Sequence, residues 1–260
     1  MSRVSGVFLA EGETYEAVIE KDLIVCNENN VTPGKIGLRI KHVLEEYYKV
    51  RKEIGGDEMI LWDNPSDEII ELVRKMPPPL NCSGYGKKHV FDVETIKIWF
   101  PAIVETKFGK FLVINQGTLG YQSCLFPKDD SICGCNSYGS TDYVICNLSI
   151  KDPATEDHPS ISFGGLIIHL LIKHSFFEGN VMYRLDPINA MHTLGFLPNY
   201  VDYSKYLLMK KDQLIKLCKK WKVKYSTRMT KVELVDLLKE YIEEQFEEKA
   251  ENQSEEKVEE

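Results

Sequence analysis

Apolar residues recur at three- and four-residue steps between Ile36 and Ile54 (Ile36, Ile40, Val43, Leu44, Tyr47, Val50, Ile54), with Pro33-Gly34 in front and Gly55-Gly56 behind. That is the period of one face of a helix with a start and a stop signal. A second helix is predicted from Asn64-Pro65 through Ile69, Ile70, Leu72 and Val73. Asp67 and Glu68 fall in its first turn and Arg74-Lys75 in its last, and Pro77-Pro78-Pro79 ends it. Three prolines in a row also stiffen the chain, so a subdomain boundary is expected near 77–80. Elsewhere the period is two. Val4–Leu9, Tyr15–Ile19 and Leu23–Cys26 read as short strands between Gly and Asn turns. Thr95–Val104 and Lys110–Asn115 flank the hairpin signal Lys107-Phe108-Gly109, and Leu119–Phe126 and Tyr143–Ile150 add strands. Pro101 asks for an edge position or a bulge, and the polar stretch Lys151–Ser160 reads as a loop.

The most apolar stretch lies between Phe163 and Pro187. Gly164–Phe177 is apolar nearly all round, which predicts a buried helix with Gly179 as its C-cap. Asp186-Pro187, an N-cap followed by proline in the first turn, opens another helix that Gly195 closes. The expected fold is α+β: a largely antiparallel sheet covered by helices over about residues 1–204, followed by a small helical module at 205–245. The last residues, 246–260, are acidic and low in apolar content, so a disordered tail is expected there.

The 260 residues are 43% hydrophobic and 28% charged, the balance of a globular protein. The apolar core of the N-terminus is too short for a secretory signal, and the run Leu166–Ile172 is interrupted by His169. It falls far below the ~20 residues that span a bilayer. No membrane partner follows, and an intracellular location, nucleus or cytoplasm, is expected. Seven scattered cysteines, an odd number, read as reduced packing residues and not as a disulfide scaffold.

Chemistry is sparse. His169, His174, Glu178 and Arg184 form the densest group of catalytic-type residues, with Asp186 beside them. At about 100° per residue, His169 and His174 lie about 140° apart around a helix. A zinc pair on one helix takes a spacing of three or four. Cys133-Gly134-Cys135, with Cys124, Cys146 and His158 in the same region, is a single C-x-C, whereas structural zinc uses paired knuckles. No metal and no cofactor is therefore expected. Gly84-Tyr85-Gly86-Lys87-Lys88 lacks the Lys-Ser/Thr ending of a phosphate loop and reads as a turn, and no G-x-S-x-G elbow is present.

The net charge of −8 conceals an asymmetry near the C-terminus. Residues 205–231 carry ten Lys and Arg against one acid, a net +9, and residues 232–260 carry twelve acids against three lysines, a net −9. Within this region Lys210–Trp221 reads as a helix with Leu214, Ile215, Leu217 and Cys218 inside. A basic loop, Lys222–Met229, follows, and then a helix opened by Thr230 and Glu233, the two ends of a capping box. Leu214 and Leu217, then Lys231, Leu234, Val235 and Leu238, resemble the SAP and Rho N-terminal types of helix–extended–helix module. The SAP pattern has glycine where this chain has Lys222 and Thr230, so the Rho type matches equally well. The resemblance implies DNA or RNA binding. The residues placed to meet phosphates are Lys219, Lys220, Lys222, Lys224, Arg228 and Lys231. Trp221 and Tyr225 are expected in the module's core. The expected role is a nucleic-acid-associated protein whose module tethers the main domain. Two other readings stand beside it: an enzyme acting on nucleic acid or nucleotide through the main domain, and a non-catalytic protein that binds a protein partner.

Overall fold

The computed structural model describes residues 8–53, 66–75, 100–122, 124, 126, 138–181 and 184–256. The strand expected at Val4–Leu9, the proline stop at 77–79, the glycine-rich turn at 84–88, the first half of the strand expected from Thr95, and Cys133 and Cys135 lie wholly or mostly outside these residues. The chain divides into two compact units, Met1–Lys151 with Asp157–Pro198, and Asp152–Glu156 with Asn199–Glu260.

In the first unit the Thr14 hydroxyl accepts from the Ala17 amide at 3.2 Å and caps α1 (Tyr15–Glu28). The short strands expected here are therefore wrong. Val18, Asp22 and Cys26, spaced by four, are buried on one stripe; the acid in that stripe interrupts the apolar period and hides the helix from the sequence pattern. Asn30, at φ +55, ends the helix in a Schellman turn, with the Val31 amide on the Cys26 carbonyl at 3.0 Å. Thr32 then caps α2 (Pro33–Glu53), whose buried residues Ile36, Gly37, Ile40, Val43, Leu44 and Tyr47 follow the predicted face. Ser66 accepts from the Ile69 amide at the start of α3 (Asp67–Lys75), with Asp67 and Glu68 in its first turn.

The sheet is four-stranded and antiparallel throughout, in the order β1 (Ala102–Thr106), β2 (Gly109–Gln122), β3 (Tyr138–Asn147), β4 (Ser160–Gly164). Thr106 pairs with Gly109 (φ +133), so Lys107-Phe108 forms the predicted hairpin turn, and Pro101 lies just before β1 at the sheet edge. The two strands expected at 110–115 and 119–126 are one strand with a register shift between Gly117 and Tyr121. Side chains alternate between two cores. Phe111, Val113, Tyr143, Ile145, Ile161 and Phe163 face α2. Leu112, Ile114, Val144 and Cys146 meet Ile69 and Val73 of α3 on the other face.

The helix expected over Gly164–Phe177 is shorter, and its first residue belongs to a strand. Ser160–Gly164 pairs with β3 with its side chains alternating in and out, and the helix α4 is confined to Ile167–His174. Hydrophobic content alone does not separate a strand buried on one face from a buried helix when Gly164-Gly165 joins them. Ser175, at φ +53, takes the left-handed position after α4 in place of Gly179. Asp186 caps α5 (Pro187–Thr193) through the Asn189 amide at 2.8 Å, and Gly195 at φ +74 follows it as predicted. In the second unit, α6 (Tyr203–Leu208), α7 (Lys211–Lys220) and α8 (Lys231–Glu256) enclose Tyr206, Leu214, Cys218, Leu234, Leu238 and Ile242. α8 runs on to Glu256, through the stretch where low apolar content predicts a disordered tail. Glu, Lys, Gln and Ala are good helix formers, and a helix already nucleated by packing extends through them. Among the described residues no helix is long and apolar enough to cross a membrane.

α2 and α4 make the most extensive helix–helix contact of the first unit, and Gly37 permits it. A Cβ there would lie 2.8 Å from Ile172 Cγ1, 3.0 Å from Leu171 Cβ and 3.3 Å from the Ile168 carbonyl. Gly37→Ala gains about 1 kcal/mol of helix propensity but overpacks at a cost of about 1–3 kcal/mol. We expect a lower thermal midpoint for Gly37→Ala and a much lower one for Gly37→Val, read by circular dichroism.

Candidate functional site

The four residues singled out from the sequence fall into two groups within the first unit. His169 and His174 stand at the two ends of α4 with their ring centroids 5.1 Å apart, although the helix angle sets their Cβ directions far apart. Phe126 stacks flat on His174 at 4.1 Å and 6°, and the Cys124 Sγ lies 3.3 Å from His174 Nε2. The ligand-type atoms of Cys124, His169 and His174 all lie within 4.8 Å of one another. Tyr15 and Phe176 pack against Phe126 at 4.8 and 5.4 Å and wall one side of the group. Burial first, then Lys173, holds the His169 imidazole below its ordinary value; for His174 burial leads, followed by His169 and Lys173. Both rings are thus neutral at pH 7, the form in which an imidazole nitrogen can accept a proton or a metal ion.

The convergence is not legible in the sequence, because a helical angle fixes only where side chains leave the backbone. Cys124, fifty residues before His174, gave no local signal. The other thiols of the described residues, Cys26, Cys146 and Cys218, are buried packing residues as expected. Burial pushes the Cys26 thiol up to about 11, with a smaller push from Asp22, and burial pushes Cys146 up to about 12. His158 is held by the Ile150 carbonyl at 2.6 Å.

Glu178 and Arg184 lie in a clasp that fastens the segment after α4 to α1. The Arg184 guanidinium donates to both carboxylate oxygens of Asp22, at 3.1 and 2.5 Å, and to the Glu178 carbonyl. Asp22 is 1% exposed and Arg184 partly exposed, so this bidentate ion pair is buried at its carboxylate end. Glu178 sits at φ +68. At Gly179 any Cβ would run into the Glu13 carboxylate and the Phe8–Leu9 backbone, so the close approach requires glycine there. Glu13 in turn accepts from the Ala10 and Asn180 amides, which holds its carboxyl below the usual range. Asp142, on the α3 face of β3, is a further acid that the sequence gave no reason to choose. Burial pushes its carboxyl up to about 6, and its Oδ2 has no hydrogen-bond partner among the described residues.

In the second unit Lys219, Lys220, Lys222, Lys224 and Arg228 are exposed and Lys231 is half-buried. Trp221 and Tyr225 pack on the apolar core, and Trp221 stacks on Tyr241 at 5.8 Å. Lys220 pairs with Glu156 at 2.7 Å. α7 ends in a Schellman turn, with the Val223 amide on the Cys218 carbonyl at 2.9 Å and Lys222 at φ +59. The capping box at the start of α8 is formed at both ends: the Thr230 amide donates to Glu233 at 2.5 Å and the Glu233 amide to the Thr230 hydroxyl at 3.3 Å. Comparison of the chain with family models, curated proteins and solved structures finds no match.

Two outcomes follow from the clasp. Asp22→Ala leaves Arg184 without its carboxylate and is expected to cost about 3–5 kcal/mol, seen as a lower urea midpoint. Glu178, 4% exposed, is raised to about 8 by burial, with Arg184 acting the other way. The folded chain therefore keeps a proton that the unfolded chain releases near the ordinary carboxylate value. The stability this contributes is fully present below that value and is lost as pH rises through about 8. Glu178→Gln should match the native chain at pH near the ordinary carboxylate value and exceed it by about 2–4 kcal/mol well above the raised one, measured as thermal midpoints across a pH series.

Proposed function

We propose that the second unit is a nucleic-acid-binding module that meets the phosphate backbone and tethers the rest of the chain to DNA or RNA. The observation that carries this reading is the sorting of side chains along residues 214–242. The apolar ones fill the core between the helices, while Lys219, Lys220, Lys222, Lys224 and Arg228 stay exposed around the turn that joins α7 to α8. Lys222 supports it further, since it adopts the left-handed conformation at the position where the SAP pattern has glycine. The residue differs from the pattern while the backbone conformation is one that glycine favours. Cations on a fixed backbone turn suit contact with phosphates, and Trp221 and Tyr225 are engaged in packing and not in stacking on bases.

Binding of this kind is salt-dependent and indifferent to sequence. Full-length protein titrated into labelled duplex DNA, duplex RNA and single strands should show affinity falling steeply between about 50 and 200 mM salt, with a log–log slope of up to about −5 for six phosphate contacts. The double substitution Lys222→Glu, Lys224→Glu should weaken binding to every sequence alike and flatten the slope by about two. Absence of binding at the lowest salt, or binding unaffected by the double substitution, overturns the reading.

A further inference from the structure

We propose that Cys124, His169 and His174 form a binding site for a divalent transition-metal ion, zinc foremost, in the first unit. One thiolate and two imidazoles make a borderline-soft donor set that suits zinc and its neighbours and does not suit magnesium or calcium, which take oxygen ligands. Zinc bonds of about 2.3 Å to sulfur and about 2.0–2.1 Å to nitrogen, at tetrahedral angles, place ligand atoms about 3.4–3.6 Å apart. The Cys124 Sγ and His174 Nε2 are 3.3 Å apart, so one edge of the tetrahedron is already close to length. The remaining edges fall within 4.8 Å. Both imidazoles are half-buried, and the Cys124 sulfur lies within reach of each.

The surroundings fix the donors. Leu170 and Leu171, buried between the two histidines in sequence, seat α4 in the core and set where both imidazoles leave the backbone. Phe126, stacked on the His174 ring and braced by Tyr15 and Phe176, holds that ring in plane and excludes water from one side. An oriented ligand shell of this kind lowers the cost of assembling the site when the ion arrives. Among the described residues three protein ligands meet, which leaves a fourth position for water or a bound molecule, as at catalytic zinc.

The test uses the full-length chain and cobalt(II) as the probe. One cobalt ion per chain should give a thiolate-to-metal charge-transfer band in the near ultraviolet and intense tetrahedral bands in the visible, both abolished by added zinc. Cys124→Ser should remove the charge-transfer band, and His169→Gln or His174→Gln should weaken cobalt binding at least about tenfold. Circular dichroism of each variant establishes that it is folded, and His169→Gln, at a half-exposed position, serves if Cys124→Ser is not. Cys133→Ser, Cys135→Ser tests the other cysteines of the region. A charge-transfer band that survives Cys124→Ser, or cobalt affinity unchanged by the histidine variants, overturns the site whatever the outcome at Cys133 and Cys135. The appearance of an intense blue colour with copper(II) but no zinc competition would overturn zinc as the occupant and assign the site to copper.

Discussion

Burial of the central strands on both faces is the constraint on which the first unit depends. Phe111, Leu112, Val113 and Ile114 are consecutive, and none is more than 2% exposed. Successive side chains of a strand point to opposite faces, so both faces of β2 must be covered or large apolar groups stay in water, at about 1.5–3 kcal/mol each. α2 and α4 cover one face and α3 the other. The covering layer sets its own demands: α4 reaches α2 only where Gly37 offers no side chain, and β4 must pair with β3 for Ile161 and Phe163 to reach the core. The position of α4, and hence of His169 and His174, is a consequence of covering the sheet.

Charge does for the start of the chain what apolar packing does for the sheet. α1 carries a buried carboxylate, Asp22, which would be costly in an apolar interior without a partner. Arg184 supplies that partner from a segment more than a hundred residues away, and the amides of Ala10 and Asn180 meet Glu13 beside it. Glu178 and Arg184 read from the sequence as candidates for catalysis, and Arg184 is taken up in holding α1 against the segment after α4. Cys124, His169 and His174 have a different character. They meet beside an aromatic wall, with their donor atoms within 4.8 Å of one another.

The second unit follows a simpler logic. α6 and α7 are short, and helix ends carry much of the definition: a Schellman turn after α7 and a reciprocal capping box before α8. Once the apolar side chains, including Trp221, are drawn inside, the lysines and arginine of the connecting turn have only the surface to occupy. A fixed turn that projects several cations is the physical basis of the proposed contact with phosphates.

Much of this was legible along the chain because it is written in local chemistry. The face of α2, the acids opening α3, the hairpin at Lys107-Phe108, Asp186-Pro187, Gly195 and the Thr230–Glu233 box each depend on residues within a turn of one another. The α+β class followed from their order. Where a tertiary partner decides, the pattern misled: α1 read as strands because its inward stripe contains an acid that Arg184 neutralises, and the helix expected over Gly164–Phe177 is shorter because Gly164 ends a strand that only β3 makes. The spacing of His169 and His174 does not bring them together on a helix, and nothing along the chain joins Cys124 to them; the folded structure sets its sulfur 3.3 Å from His174 Nε2. The sequence alone determined the helix starts at Asp186 and Thr230, the hairpin turn at Lys107-Phe108 and the basic charge of the C-terminal unit, since these rest on neighbouring residues. Tertiary structure decided which charges pair and which donor atoms meet, because distances between residues far apart in the chain exist only once the core has closed.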